Sequence, residues 1–342
     1  MSGSEYIRAP GIGVPGEVTI SNYGTRAVKV IPDLLTPAVL HREVGDPVFR
    51  SPGVTRSVVK GISATPFGIG EPVMDHTVPF TVEAQIPFEN NRGERFYWSV
   101  IGRNSEGRLP PGHLVAGQKK MIRDVASDPR YAPQSVETMK SYIEESNPGL
   151  SYHFERVTPD NFGELSEGLA ALYREAFSDY PYDVVGAIGQ SCADNLFVVA
   201  RGGDGRIYSV TGAEYLYGSG GTVIGEIGDT ASLPSVRGFG PLLKRVLFQE
   251  MVERDAVPDL VFTDSRLDNN GSVIKANRRS GLRLNPDILL PAHTTIASLR
   301  TEGSEMMQRA SDGREFPVEN MTMTHLTRDG IYEIVSHYGN PY

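Results

Sequence analysis

A short turn before a helical pattern is the clearest candidate for chemistry in this sequence. Arg237, Gly238 and Gly240 follow Pro234 at the start of this pattern. Its apolar residues recur at spacings of three and four, as one buried helical face requires: Phe239, Leu242, Leu243, Val246, Leu247 and Met251. The first N–H groups of a helix lack internal partners and form the positive end of its dipole, so an anion binds there if small residues let it approach. We therefore predict an anion-binding turn, with a simple strand-to-helix turn as the alternative.

Two larger residues stand just inside this helix start. Pro241 is compatible with a first helical turn, but it removes one N–H donor that a phosphate could use. Leu242 occupies a position at which we expect its side chain to crowd the anion. If the helix began one residue away from the expected place, Leu242 would instead lie in the core.

The strand that leads into the turn carries two carboxylates, Glu226 and Asp229. A carboxylate in such a position can accept a proton from a reacting group, directly or through water. Each of the two also has a structural interpretation, as a turn carboxylate. These two residues are the candidates for acid–base chemistry.

The second half of the chain supplies the elements that position these residues. The predicted elements begin with a helical pattern from 162 to 177, for which Thr158 or Asp160 is the natural N-cap. A meander of strands over 195–201, 206–217 and 222–228 and the helix after the anion turn follow. The last elements are a strand over 259–265, a helix over 270–280, and alternating runs over 294–299 and 321–326. Hairpin turns connect the strands of the meander, so these strands are antiparallel. The pattern predicts an α/β fold with a mixed, mostly antiparallel sheet flanked by helices.

The first half has a weaker pattern. It contains β-branched runs over 27–34 and 54–62, a hairpin signal over 79–88 and 95–102, and a helical pattern over 133–145. Glu83 alternates with apolar neighbours in the hairpin, so a solvated strand face is the preferred interpretation and a functional role the alternative. The triplet Asn-Pro-Gly at 147–149 predicts a boundary between an accessory domain (1–148) and the domain that carries the anion turn (149–342).

Composition limits the partners. The chain has 342 residues, 39% of them apolar and 22% charged, as is ordinary for a globular protein. A net charge of −9 argues against a broad nucleic-acid-binding surface. The single cysteine, Cys192, forbids an internal disulfide, and the start of the chain lacks an apolar leader, so we expect a cytoplasmic protein without membrane spans. The seven histidines show no metal-ligand spacing, and no metal is expected.

The anion turn resembles the acyl-CoA pyrophosphate loop of the GNAT acyltransferase superfamily, whose pattern is Gln/Arg-x-x-Gly-x-Gly/Ala. Arg237 to Gly240 match this pattern, and Leu242 departs from it. Four stretches resemble the β-lysine N-acetyltransferase branch more narrowly: FTVEAQIP (80–87), AFSDYPYDV (176–184), GEIGDTASLPSVRGFG (225–240) and PVENMTMTHL (317–326). In the second stretch, Tyr-Pro-Tyr-Asp stands where the branch has Tyr-Pro-Phe-Pro.

The resemblance implies an N-acyltransferase that moves an acyl group from acyl-CoA, or from a phosphopantetheine thioester, to a primary amine of a small polar or amino-acid-like substrate. It implies that the catalytic residues are Glu226, as base or amine anchor, Asp229, Asn270 and Asn277. Asn277 stands where the superfamily has a tyrosine that protonates the thiolate. It implies a donor site of Arg237, Gly238, Phe239, Gly240 and Leu242. The candidate acceptor residues are Tyr180, Tyr182, Glu83 and Glu319.

Two other functions fit the same sequence. A tandem-GNAT enzyme of natural-product assembly would take its acyl group from a carrier protein or an aminoacyl-tRNA. For the N-acyltransferase itself, the accessory first half is interpreted as an α/β domain that covers the site, with a degenerate GNAT-like copy as one form of it. A binding module would hold an acyl ligand without turnover. Glu226 and Asp229 favour an enzyme, whereas Leu242 and Asn277 favour the unusual donor or the module.

Overall fold

The computed structural model describes residues 16–21, 26–51, 53–72, 79–105, 108, 110–177, 183–218, 221–267, 271–294, 307–309 and 315–342. In this part of the chain, two large sheets pack face to face. One helix covers the outer face of the first sheet, and most of the other helices cover the outer face of the second.

The first sheet is built from residues 18–104. Its strands are β1 (Val18–Ser21), β2 (Arg26–Ile31), β3 (Arg56–Ser63), β4 (Thr81–Glu89) and β5 (Arg95–Asn104), in the order β1-β2-β3-β5-β4. Strands β2 and β3 are parallel and are connected through helix α1 (Pro37–Val44), while the other pairs are antiparallel. The β4–β5 hairpin lies where the sequence predicts it.

Two helices connect the sheets. They are α2 (Gly112–Ser127), which the sequence pattern did not predict, and α3 (Val136–Ser146), which overlaps most of the predicted helix. Val136, Met139 and Ile143 of α3 belong to the core of the second half. The boundary at residue 148 stays a prediction, and both helices just before it pack against elements that follow it.

The second sheet carries the candidate site. Its strands are β6 (Tyr152–Val157), β7 (Leu196–Gly202), β8 (Ile207–Tyr217), β9 (Val223–Ser232), β10 (Leu260–Arg266), β11 (Arg283–Leu284), β12 (Leu290–Thr294) and β15 (Glu319–Thr327). The order is β11-β15-β10-β9-β8-β7-β6, with β12 also paired to β15, and β13 (Met307–Arg309) and β14 (Glu315–Pro317) form a separate ribbon. Among the described ladders of this sheet, only β9–β10 is parallel. The expected mixed, mostly antiparallel sheet flanked by helices is confirmed.

The described residues of this half form the helices α4 (Pro159–Ala176), α5 (Val184–Ser191), α6 (Phe239–Glu253), α7 (Ser272–Ser280) and α8 (Arg328–His337). Thr158 caps α4 with its side chain, as its residue type and position predict. The apolar face of α6 packs into the largest core, so the predicted three-and-four spacing is observed. The order of α4, the β7–β9 meander, α6, β10 and α7 is the order that the resemblance implies.

The two sheets share an apolar interface. Trp98 of β5 stacks on Phe262 of β10 with ring centroids 5.2 Å apart. Val58 and Ile86 from the first sheet and Ile224 from β9 lie in the same buried cluster. The first half therefore covers one face of the sheet that carries the candidate catalytic residues.

Candidate active site

Strands β9 and β10 separate halfway along their length. Their parallel register joins Leu260 to Ile224 and ends where Phe262 pairs with Glu226. Both strands continue beyond this point, β9 to Ser232 and β10 to Arg266. The backbone of β9 past Glu226 thus has no ladder partner in β10, and a wedge opens between the strands.

A bulge shapes β9 just after this point. The register with β8 shifts between Gly228 and Ala231, where β9 has one extra residue. Asp229 lies in the bulge with a left-handed backbone, at φ 48°, and Tyr173 of α4 donates its hydroxyl to the Asp229 carbonyl. Bulges re-aim side chains, and Asp tolerates this conformation better than most residues. The bulge therefore fixes Asp229 next to the wedge.

Three carboxylates cluster at the wedge. Glu226 lies directly opposite Glu214 of β8, and Asp229 is close enough for its charge to act on both. All three side chains are buried, with at most 8% of any of the three residues exposed. Burial, with the nearby charges of Asp229 and Glu226, raises the pKa of Glu214 to about 9. Glu214 is therefore protonated at neutral pH.

A cation on the first sheet acts on the pKa of Glu226. Burial raises the pKa of Glu226, and the ammonium of Lys60 acts in the opposite direction. Lys60 lies on β3, is fully buried, and places its Nζ 3.6 Å from Glu226 Oε2 and 3.3 Å from Asp264 Oδ2. The candidate base is thus a buried carboxylate that shares one cation with Asp264.

A polar network extends from Asp264 into the first sheet. His293 of β12 places Nε2 3.0 Å from Asp264 Oδ2 and Nδ1 3.1 Å from a terminal nitrogen of Arg56. Since Arg56 only donates, Nδ1 accepts from it, and Nε2 also lies 2.8 Å from a terminal nitrogen of Arg26. Burial, and then the charge of Arg26, hold the pKa of His293 well below its usual range, so the ring is neutral.

Glu83 lies in the same interface and not on a solvated face. Arg56 holds both carboxylate oxygens of Glu83 with its two terminal nitrogens. A Cβ on Gly102 would overlap the Glu83 carboxyl group, so the glycine leaves the room that Glu83 fills. The preferred interpretation of Glu83 was wrong because its outward-pointing face meets the second sheet. Its direct contact with a substrate stays a prediction.

The two glycines at the start of α6 differ in the space beside them. Gly238 is the N-cap residue with φ 92°, and a Cβ there would lie 2.8 Å from Ile143 and 2.9 Å from Tyr142. A Cβ on Gly240 would meet nothing within 4 Å. Helix α6 has no side-chain cap. Its first N–H groups therefore begin beside open space at Gly240, as an anion site requires.

The end of α3 holds the turn before α6. The Asn147 side chain accepts from the Arg237 N–H and donates to the Arg237 carbonyl, at 3.0 Å in each case. The Arg237 side chain is exposed. This residue of the predicted donor site can therefore reach a ligand while its backbone stays fixed.

Two predicted donor residues lie in the core. Leu242 is fully buried, and Phe239 packs against Tyr152 and Tyr208. The expectation that Leu242 crowds the anion is wrong, because the helix begins at Phe239 and turns Leu242 inward. Neither side chain is therefore available to an acyl donor.

Two further predicted residues have structural partners. Asn277 donates to the hydroxyls of Ser265 (2.8 Å) and Thr324 (3.0 Å), and so joins α7 to β10 and β15. Glu319 is buried in an ion pair with Arg266. This placement of Asn277 does not support a role at the reaction centre, because its amide nitrogen is already engaged. Asn270, Tyr180 and Tyr182 lie outside the described residues.

Sequence reasoning missed Glu214, Lys60, Asp264 and His293. Glu214 and Lys60 are charged residues with apolar neighbours in their strands, and that interruption was the available signal. In the part of the chain that the structure describes, no group of three His, Cys, Asp or Glu residues is placed to hold a metal ion. Over the same residues, no helix is both long and apolar enough to cross a membrane.

Comparison with known proteins gives a limited result. No family model and no curated protein matches the sequence. Among solved structures, an N-acetyltransferase from Staphylococcus aureus Mu50 has a TM-score of 0.38 at 8% identity, with 52% of this chain and 99% of that chain covered. A GNAT superfamily phosphinothricin acetyltransferase from Sinorhizobium meliloti, in complex with AcCoA, has a TM-score of 0.36 at 14% identity, with 52% and 89% covered.

A third similar structure is the aminoglycoside acetyltransferase AAC(6')-Ib in complex with coenzyme A and kanamycin. Its TM-score is 0.30 at 13% identity, with 54% of this chain and 98% of that chain covered. At these scores and identities, the matches do not assign the chain to a family. Each covers about half of the chain.

Proposed function

We propose that this protein is a GNAT-type N-acyltransferase, which transfers an acyl group from a CoA thioester to a primary amine of a small polar acceptor. The observation that carries the proposal is the position of Glu226. It is a buried carboxylate with a raised pKa, at the residue where β9 and β10 separate. The same strand then leads through a bulge to a helix start that is open at Gly240.

The start of α6 is the proposed donor site. Free N–H groups and the helix dipole favour a pyrophosphate there, and Gly240 leaves room for it. The argument for a carrier-protein or aminoacyl-tRNA donor relied on crowding by Leu242 and on Asn277 in place of a tyrosine, and the Leu242 side chain lies in the core. An acyl-CoA donor is therefore the simpler proposal. When bound, it supplies the electrophilic thioester carbonyl.

Glu226 is the proposed base. An amine attacks only as the free base, so its proton must go to another group. Burial makes the Glu226 carboxylate a better proton acceptor by raising its pKa toward the working pH. Glu226 would take the amine proton as the carbon–nitrogen bond forms and the carbon–sulfur bond breaks. The β9 backbone past Glu226, which has no ladder partner in β10, is the candidate donor to the developing oxyanion.

We further propose an amino-acid-like acceptor, as in the β-lysine N-acetyltransferase branch. Support comes from the four stretches that resemble this branch. Two of them meet in space: Ala84 and Ile86 of the first stretch lie in one buried cluster with Met321 and Met323 of the fourth. Tyr180 and Tyr182 remain candidates for acceptor specificity.

The test measures thiol release from acetyl-CoA with a panel of amines that includes β-lysine. We expect amine-dependent release by the wild type and a loss of about a hundredfold to ten-thousandfold in kcat for Glu226→Gln. Glu145→Gln, at an exposed position on α3, is the matched control and should leave kcat unchanged.

Calorimetry with CoA separates binding from turnover. CoA binding without thiol release for any amine in the panel would favour the non-catalytic module. Equal rates in Glu226→Gln and the wild type would remove Glu226 from the mechanism. If neither CoA nor acetyl-CoA binds, the proposed donor site is wrong.

A further inference from the structure

A cation from the first sheet faces the candidate base. Lys60 reaches across the sheet interface from β3, and its Nζ lies 3.6 Å from Glu226 Oε2. Lys60 is fully buried, so water does not screen this pair as it screens a surface ion pair. The first half of the chain therefore contributes a charge to the site in addition to an apolar cover.

Lys60 is held in place by a second carboxylate. Asp264 Oδ2 lies 3.3 Å from Lys60 Nζ and 3.0 Å from His293 Nε2. Although burial acts against it, the charge of Lys60, the hydrogen bond with His293 and the charge of Arg26 keep the pKa of Asp264 below its usual range. Asp264 is thus ionised, and it anchors Lys60 between the two carboxylates.

Titratable groups face Glu226 from both sheets: Arg26 on β2, Lys60 on β3, Glu214 on β8, Asp229 on β9 and Asp264 on β10. Glu214 carries no charge below a pH of about 9. His293 is neutral because burial lowers its pKa. Asp229 and Asp264 favour the protonated form of Glu226, and Lys60 is the group with the largest opposing effect.

We propose that Lys60 is a positioning residue for the candidate base, and that its ammonium keeps Glu226 ionised and therefore able to accept a proton. This inference rests on the proposed function. Its test is a pH titration, which does not require that the protein turns over a substrate. An opposite charge within about 4–6 Å lowers the pKa of a carboxyl group by about one to three units. Removal of the Lys60 charge should raise the titration midpoint of Glu226 by this amount.

The experiment follows the glutamate side-chain carboxyl carbons by ¹³C NMR during a pH titration of the full chain. The signal of Glu226 is assigned by its loss in Glu226→Gln. Lys60→Met and Lys60→Gln remove the charge, and Lys60→Arg keeps it. Lys29→Met is the matched control, because Lys29 lies in the adjacent strand but pairs with Glu43 and Asp46.

We expect the Glu226 midpoint to rise by about one to three pH units in Lys60→Met and Lys60→Gln. It should stay close to the wild-type value in Lys60→Arg and Lys29→Met. The acidic limb of the kcat/KM profile should shift to higher pH in the same two variants. A residue that only supports packing would lower activity or stability without moving this limb.

An unchanged Glu226 midpoint in folded Lys60→Met or Lys60→Gln overturns the proposal. If neither variant folds, the reciprocal measurement decides. The coupling acts equally on both partners, so the Lys60 midpoint, followed by its ¹³Cε signal, must fall in Glu226→Gln. An unchanged Lys60 midpoint then overturns the proposal. If no amine supports thiol release, the proposed function fails, while the two titrations still decide the role of Lys60.

Discussion

The interface between the two sheets has an apolar end and a charged end. At the apolar end, Trp98 and Phe262 stack, and Ile86 lies in the same cluster. At the charged end, Lys60 and Glu226 face each other from opposite sheets. Phe262 is the border between the two ends, since the Lys60 ammonium lies 5.5 Å from its ring centroid.

The two ends contribute differently to the protein. Burial of apolar area stabilises the fold by about 25 cal/mol per Å². A buried ion pair often gains no more than it loses in hydration, so charges in an interface are weak evidence for stability. Buried ionisable groups with shifted pKa values occur preferentially at functional sites. We infer that the apolar end holds the sheets together and that the charged end serves the chemistry.

The largest expected effect is at the apolar end. Trp98→Ala removes a fully buried ring and its stack with Phe262, and should lower the free energy of unfolding by about 3–5 kcal/mol. Urea denaturation measures this change. Ile69→Ala, at a half-exposed position in the same half of the chain, is the control and should have a small effect. Equal losses in both variants would mean that the interface does not hold the sheets.

At the charged end, a single substitution should cost more than a double one. Glu83→Gln leaves Arg56 buried beside a neutral partner, and should lower the free energy of unfolding by about 3 kcal/mol. Replacement of both residues by leucine removes both charges and should cost less. A double variant that is less stable than Glu83→Gln would show that the Arg56–Glu83 ion pair stabilises the fold. This result would contradict the inference that the apolar end alone holds the sheets together.

A third expected effect depends on pH. The pKa of Glu214 is about 9 in the folded protein, while an unfolded glutamate has a pKa of about 4.3. Between these values the folded state binds the extra proton, so stability is present at low pH and is lost as the pH rises. Relative to wild type, Glu214→Gln should therefore gain stability from pH 5 to pH 8, by up to about 1.4 kcal/mol per pH unit.

Urea denaturation at several pH values tests the role of Glu214. Glu145→Gln, at its exposed position, should follow the wild-type pH dependence. Parallel curves for wild type and Glu214→Gln would contradict the raised pKa.

The second half was the more predictable part of the fold. The meander and α6 follow from local signals: alternating residues, hairpin glycines and a three-and-four spacing. Helix α2 was missed because Pro110, Pro111 and Gly112 suggested a loop, although residues of this kind also occur at a helix start. Leu242 was misplaced because its orientation depends on the exact first residue of α6.

The candidate site was only half predictable. Glu226 and Asp229 lie on the strand that leads into α6, so their position in the sequence indicates them. Lys60 and Asp264 are 204 residues apart in sequence and meet only because one sheet packs on the other. No local pattern records this packing, because each strand alone shows only that a charged residue stands among apolar neighbours.

The contact between Asn147 and Arg237 has a consequence for the cost of ligand binding. The Asn147 amide fixes both backbone polar groups of Arg237, so this part of the loop before α6 keeps one conformation without a ligand. A loop that is already ordered loses little conformational entropy when a ligand arrives, and more of the contact energy is left for affinity. The residue that marks the end of α3 thus preorganises the candidate anion site.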